Sequence, residues 1–164
     1  MRATIMAKGG MGLAAPQVGV SARVMVMRRT CKLQRQRGDD LAARSYEVCI
    51  NPRVLHAEAE EVVGPEGCYS VPGHVAFVSR PGAITVEWLD ETGTRVSDTL
   101  CGVPAVVFQH ELDHLDGVLI LDKDISGIAG TPEGAEASRR FTESLNRHYT
   151  PGLRPAGPAA PATS

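Results

Sequence analysis

No run of apolar residues in this 164-residue sequence reaches the length needed to span a bilayer, and the opening MRATIMAKGG lacks the apolar core of a signal peptide. The expectation is a cytoplasmic protein with no membrane partner. Charge imbalance is missing as well. Seventeen Lys and Arg stand against 19 Asp and Glu, a net charge of -2, which gives no electrostatic case for DNA or an anionic surface as the main partner. Cysteine is scarce: four in an unexported chain read as thiols, each a ligand, a nucleophile or a core filler, rather than as a disulfide framework. Aromatic residues make up only 4%. The most basic stretch, Arg28 to Arg44, has none interleaved among Arg28, Arg29, Lys32, Arg35 and Arg37. It reads as a solvated loop or hairpin extension, not a nucleic-acid footprint.

A hydrophobic content of 43% suffices to bury one core, and the length is too short for two comfortable domains. A single domain is expected over 1–150. The Pro- and Ala-rich residues 151–164 cannot bury a core and read as a disordered tail. β-Branched runs predict strands at Arg23–Met27, Tyr46–Ile50, Val75–Val78, Ile84–Leu89 and Thr94–Leu100, with a hairpin turn at Asp90–Gly93. Asn51-Pro52 is expected to close the second strand. Gly64–Gly73 reads as a loop, and Val118–Leu121 as a short strand or extension. Apolar residues recurring every four from Ala137 to Tyr149 predict an amphipathic helix over 133–149.

The stretch with the clearest chemistry is Gln109 to Gly117, QHELDHLDG. A helix turns 100° per residue, so His110 and His114 lie 40° apart, one turn above the other, where both can reach one metal ion. Glu111 stands at the edge of that face, placed to take a proton from water without being an obvious ligand. Ala105, Phe108, Leu112 and Leu115 form an apolar stripe, and Val106 and Val107 add apolar surface on the histidine side. A helix apolar on both sides is buried, and buried imidazoles need partners that a metal supplies. Pro104 suits the first turn of this helix and Gly117 its end.

Two imidazoles leave a catalytic metal short of a protein ligand. Glu133 and Glu136 are candidates, as in metallopeptidases with this helix motif. Cys68 is the better donor, because a thiolate binds borderline metals well and this cysteine sits in a special loop rather than an apolar run. Cys49, by contrast, reads as a small apolar filler. The glycines of Gly9–Gly19 read from composition alone as a plain turn, with Gln17 able to bond a substrate oxygen.

Three stretches together resemble the motifs of peptide deformylase: Gly10-Met11-Gly12-Leu13-Ala14-Ala15-Pro16-Gln17, Glu66-Gly67-Cys68-Tyr69-Ser70, and Gln109-His110-Glu111-Leu112-Asp113-His114-Leu115-Asp116-Gly117. The resemblance runs from about Thr4 to Asp122. It implies an α+β fold in which antiparallel β-sheets pack around a central metal-binding α-helix, followed by a C-terminal helix. The family's N-terminal arm and first helix are largely absent from the sequence as given. The resemblance also implies roles. Cys68, His110 and His114 would hold one divalent metal ion, Fe2+ natively, with Zn2+, Ni2+ or Co2+ able to substitute. Glu111 would be general acid and base, Gln17 and the Tyr69 N–H would receive the oxyanion, and Gly12, Met11, Glu66 and Val107 would bind substrate. Asp113 would orient the site, together with Arg80. The implied reaction removes the N-formyl group from N-formylmethionyl nascent peptides, releasing formate, by a monomer that also docks the ribosome through its C-terminal helix. The rivals are a metallopeptidase with a downstream Glu ligand and a truncated, inactive copy serving as a binding module.

Overall fold

The computed structural model describes residues 1–28, 46–125, 131–133, 136 and 139–140. Among the described residues, seven strands and three helices up to Lys123 form the frame. A first helix, α1 (Arg2–Lys8), leads into β1 (Gly12–Ala14), a single 3-10 turn (Ala15–Val18), β2 (Val24–Arg28) and β3 (Tyr46–Ala57). Then come β4 (Glu61–Cys68), β5 (Val71–Pro81), β6 (Ala83–Leu89), β7 (Arg95–Cys101), α2 (Val103–Leu115) and the single turn α3 (Ile120–Lys123). Five strands make one antiparallel sheet in the order β1-β2-β3-β6-β7, while β4 and β5 pair as a separate ribbon.

The period-2 pattern of β2 and β6 decides where the core lies. Met25 and Met27 face one side of the sheet, and Val26 faces the other. On the first side they join Cys49, Ile84, Val86, Trp88 and Leu100 beneath Ala105 and Phe108 of α2. On the second, Val26 packs with Leu13 and with Ile5 of α1. Phe108 is fully buried, its ring 6.2 Å from that of Trp88. Truncating it empties the junction between α2 and the sheet, where the backbone on both sides is held by regular hydrogen bonding and cannot collapse inward. Phe108→Ala is therefore expected to cost about 3–5 kcal/mol, read as a lower denaturant midpoint. A loss below about 1 kcal/mol would mean that this junction is not the centre of the core.

α2 is the central helix of the expected α+β fold. Its start is shaped by Gly102 at φ 63° and by Pro104 in the first turn, and Gly117 at φ 78° turns the chain away after its end. Val107, Leu112 and Leu115 pack against the same sheet-side core as Ala105 and Phe108, and the helix also contacts β5 of the ribbon.

Three local expectations are corrected. Gly64–Gly73 is not a loop but the end of β4, a two-residue turn and the start of β5. Proline and glycine are tolerated there because each strand of a two-stranded ribbon is an edge with one unpaired side. Asn51-Pro52 does not end its strand: Asn51 takes φ 51° and the register shifts between Ile50 and Arg53, so the turn former produces a bulge and β3 continues to Ala57. Val118–Leu121 is not a strand, because Asp122 accepts the Leu119 N–H at 2.8 Å and starts the helical turn α3. Glu133, Glu136, Arg139 and Arg140 have helical backbone. The rest of the helix expected over 133–149, the basic stretch past Arg28 and the tail 151–164 lie outside the described residues.

Candidate metal centre

Helix geometry places His110 and His114 one above the other, their ring centroids 4.9 Å apart and nearly perpendicular. Cys68 arrives from the β4–β5 ribbon. Gly67 pairs with Val75 but Cys68 pairs with Val71, and this break in register turns the Cys68 side chain toward α2. Its sulfur lies 3.1 Å from His114 Nε2. One ligand atom from each of Cys68, His110 and His114 falls within 4.8 Å of the others.

These donors suit a divalent cation. Metal–sulfur and metal–nitrogen bonds of about 2.0–2.3 Å require donors roughly 3.3–3.6 Å apart around a tetrahedral ion, a separation that small rotamer changes supply from here. Three protein donors also leave a coordination position for a reactant. Glu136, a rival third ligand, is held by Arg139 and Arg140. Among the described residues the metal-competent group contains no carboxylate.

The imidazole of His110 is oriented by a buried chain of charges. Its Nδ1 meets Glu66 Oε2 at 2.7 Å, which leaves Nε2 to face the sulfur side. Arg80 grips Glu66 with Nε at 2.5 Å and Nη2 at 3.0 Å, and reaches Asp113 with Nη1 at 2.8 Å. Lys123 closes the far end on Asp113 at 2.8 Å. Arg80 and Glu66 are both buried, and each would be costly there alone. Burial opposes ionisation of Glu66, but the hydrogen bonds from His110 and Arg80 outweigh it and hold its carboxyl below the usual range. Burial likewise disfavours charge on His110, yet Glu66 and Glu111 override it and push the imidazole up to about 9. Among the described residues, His114 meets the Cys68 sulfur, not a carboxylate. Burial and the charge of His110 bring it down to about 4.

Glu66, expected to bind substrate, borders the cavity, and its two oxygens also meet Arg80 and His110, so it orients the His110 imidazole as well. The sequence signal for this was faint, since neither the spacing of Glu66 nor that of Arg80 points at His110.

Glu111 is buried, and its Oε2 has no hydrogen-bond partner among the described residues. Burial pushes its carboxyl up to about 7, against the pull of the neighbouring His110 charge. A carboxylate poised near neutrality and open on one oxygen can accept and return a proton. Gly12 makes room for it: a Cβ built there would lie 2.3 Å from Glu111 Oε1 and 2.6 Å from its Cγ.

Gln17 is fixed by its own end of the chain. Its amide oxygen accepts the Ala14 N–H at 2.8 Å, so its nitrogen faces Ser70 Oγ at 3.1 Å and Cys68 Sγ at 3.6 Å. The donor side therefore points at the metal-competent group. The glycine-rich segment is more than the plain turn that composition suggests, since it contains β1 and the 3-10 turn that carries Gln17. Met11, Gly12, Tyr69 and Val107 also line the cavity, which has a volume of about 750 Å³ and is bordered by Cys68, His110 and Glu111. Its walls are the Gly10–Gly12 segment, α2 and the β4–β5 ribbon.

Comparison with known proteins places these features in context. Residues 1–128 match the family model described as polypeptide deformylase. Peptide deformylase 3 of Streptomyces avermitilis is 39% identical over 125 residues, which is 75% of this chain and 56% of the relative. A peptide deformylase of Rhizorhabdus wittichii is 43% identical over 114 residues, 69% of this chain and 62% of the relative. The crystal structure of peptide deformylase from Thermotoga maritima superposes with a TM-score of 0.64 at 39% identity, over 74% of each chain. The chain spans 56% and 62% of the length of those two curated relatives.

Proposed function

Because the chain belongs to the polypeptide deformylase family, we propose that it removes the N-formyl group from the N-terminal formylmethionine of nascent polypeptides and releases formate. The observation that carries this reading is the meeting of Cys68, His110 and His114 beside the open oxygen of Glu111 at the wall of a peptide-sized cavity.

Cys68, His110 and His114 would hold one divalent ion, and a thiolate with two imidazoles suits borderline first-row metals. Fe2+ is the proposed native ion, with Zn2+, Ni2+ or Co2+ as substitutes. When bound, the ion supplies Lewis acidity, which makes water a usable nucleophile near neutral pH. Glu111 takes a proton from the attacking water and delivers it to the departing amine nitrogen, so the same oxygen serves as base and then as acid. As the formyl oxygen gains charge, it is met by the Gln17 amide nitrogen and the backbone N–H of Tyr69. One such pre-aimed donor contributes about 3 kcal/mol. Glu66 and Arg80 keep His110 in a single orientation, and Gly12, Met11, Glu66 and Val107 would contact the substrate.

Protein loaded with Fe2+ or Ni2+ under anaerobic conditions is expected to release formate from formyl-Met-Ala-Ser. Loaded protein that binds metal but liberates none would overturn the reading. The close approach of Gly12 to Glu111 gives a sharper check. Gly12→Ala must push the carboxylate aside, and is expected to lower formate release by ~10-fold or more, as a misplaced catalytic group does, with metal content unchanged. Activity within twofold of wild type would show that Glu111 tolerates displacement.

A further inference from the structure

Tyr69 is an unusual residue to find half exposed. Its ring borders the cavity and is 51% accessible, a state in which an aromatic side chain is ordinarily free to change rotamer. Here two contacts pin it. The hydroxyl donates to the Lys8 carbonyl at 3.1 Å, at the end of α1. The ring also lies against the Gly10 backbone so closely that a Cβ on Gly10 would come within 2.9 Å of Tyr69 Cε2. Gly10 is itself held, its carbonyl accepting the Tyr46 hydroxyl at 2.7 Å. The side chain therefore reaches from the β4–β5 turn to the segment that forms the opposite wall, with its remaining face open.

That open face adjoins further apolar surface. Val75, from the same ribbon, is 54% exposed and borders the cavity together with Pro72. A flat, pre-positioned apolar surface costs little entropy when something binds to it, which is the condition for strong selection by a single side chain.

The position relative to the reacting groups decides what would bind. Tyr69 directly follows Cys68, so its Cα lies ~3.8 Å from that of the cysteine. For a substrate whose formyl carbon sits beside Cys68 and Glu111, the apolar wall that can receive the first side chain is the part of α2 where Val106 and Val107 line the cavity. An extended peptide advances about 3.3 Å per residue and points alternate side chains to opposite sides. The second side chain then faces away from α2, toward the ribbon and its tyrosine.

Resting on the deformylase reading, we infer that the Tyr69 ring, clasped to Lys8 and Gly10, determines specificity for the second residue of the formylated peptide, favouring large apolar side chains over small or acidic ones. The backbone N–H of Tyr69 serves the reaction, and its side chain sorts the substrates.

The test compares formyl-Met-Leu-Ser, formyl-Met-Ala-Ser and formyl-Met-Asp-Ser, with formyl-Met amide as a substrate that lacks a second side chain. Wild type is expected to prefer Leu over Ala by ~5–10-fold in kcat/KM, about what burying one apolar side chain against a ring provides. The preference should be carried by KM. In Tyr69→Ala it should vanish, and Tyr69→Phe, which keeps the ring but loses the clasp, should retain part of it. Calorimetry with the product peptides Met-Leu-Ser and Met-Ala-Ser gives the same comparison without turnover. An unchanged Leu preference in Tyr69→Ala overturns the inference. So does an equal loss on all four substrates, since that would mark a purely structural role. If wild type releases no formate from any peptide, the functional reading fails, and product-peptide binding alone decides whether Tyr69 selects.

Discussion

Replacing Glu111 by Gln is expected to cut formate release by ~10²–10⁴-fold, the range for loss of a positioned acid–base group, while the protein keeps its metal. The substitution changes one atom. Gln fits the same buried space beside Gly12 and has no basic oxygen to take a proton from water. Because burial already pushes the Glu111 carboxyl up to about 7, a neutral amide is no harder to bury than the acid it replaces. Thermal stability should therefore hold or rise, which separates a chemical loss from an unfolded one. Equal formate release by wild type and Glu111→Gln at full metal content would remove Glu111 from the mechanism.

Cys68→Ala is the second large effect, and it should appear in the metal content before any assay is run. The change removes the one anionic donor of the group and leaves two imidazoles, the ligation of a weak surface site. The affinity lost should exceed the ~10–100-fold that follows removal of an outer hydrogen-bond partner, so dialysis should strip the metal. Stability that depends on metal should go with it, since an ion that binds only the folded state raises the unfolding temperature in proportion to its occupancy. Elemental analysis of anaerobically purified wild type should find iron, and the same analysis of Cys68→Ala should find close to none. Full metal content in that variant would point to a carboxylate third ligand, and with it to the metallopeptidase alternative.

The tertiary structure explains why some expectations were met and others missed. The ribbon β4–β5 was hidden by its own composition. Glycine and proline at Gly64, Pro65, Gly67 and Pro72 argue for a loop when read locally, and only pairing across the turn makes strands of them. The bulge at Asn51 misled for the same reason: a turn former inside a long strand gives the signal of a strand end. Glu66 was placed by family resemblance among the substrate contacts, and no local pattern pointed to its further contacts with Arg80 and His110, 14 and 44 residues away.

What the amino-acid order determined by itself was local. Four-residue spacing put His110 and His114 on one face of a helix apolar on both sides, and period-2 alternation turned Ile84, Val86 and Trp88 inward, because helix and strand periods are properties of the backbone that any window of sequence carries. Cys68 could be suspected as a donor, and the three motifs associated it with the histidines by resemblance rather than by spacing. Only the tertiary structure brought its sulfur to 3.1 Å from His114, set Glu111 against the bare backbone of Gly12, turned the Gln17 nitrogen toward the sulfur and hung Tyr69 from Lys8. Those contacts join residues 46 to 99 positions apart in the chain. Local periodicity cannot specify such distances, which are set by how the strands pair, where a bulge turns a side chain and which face of the helix meets which sheet.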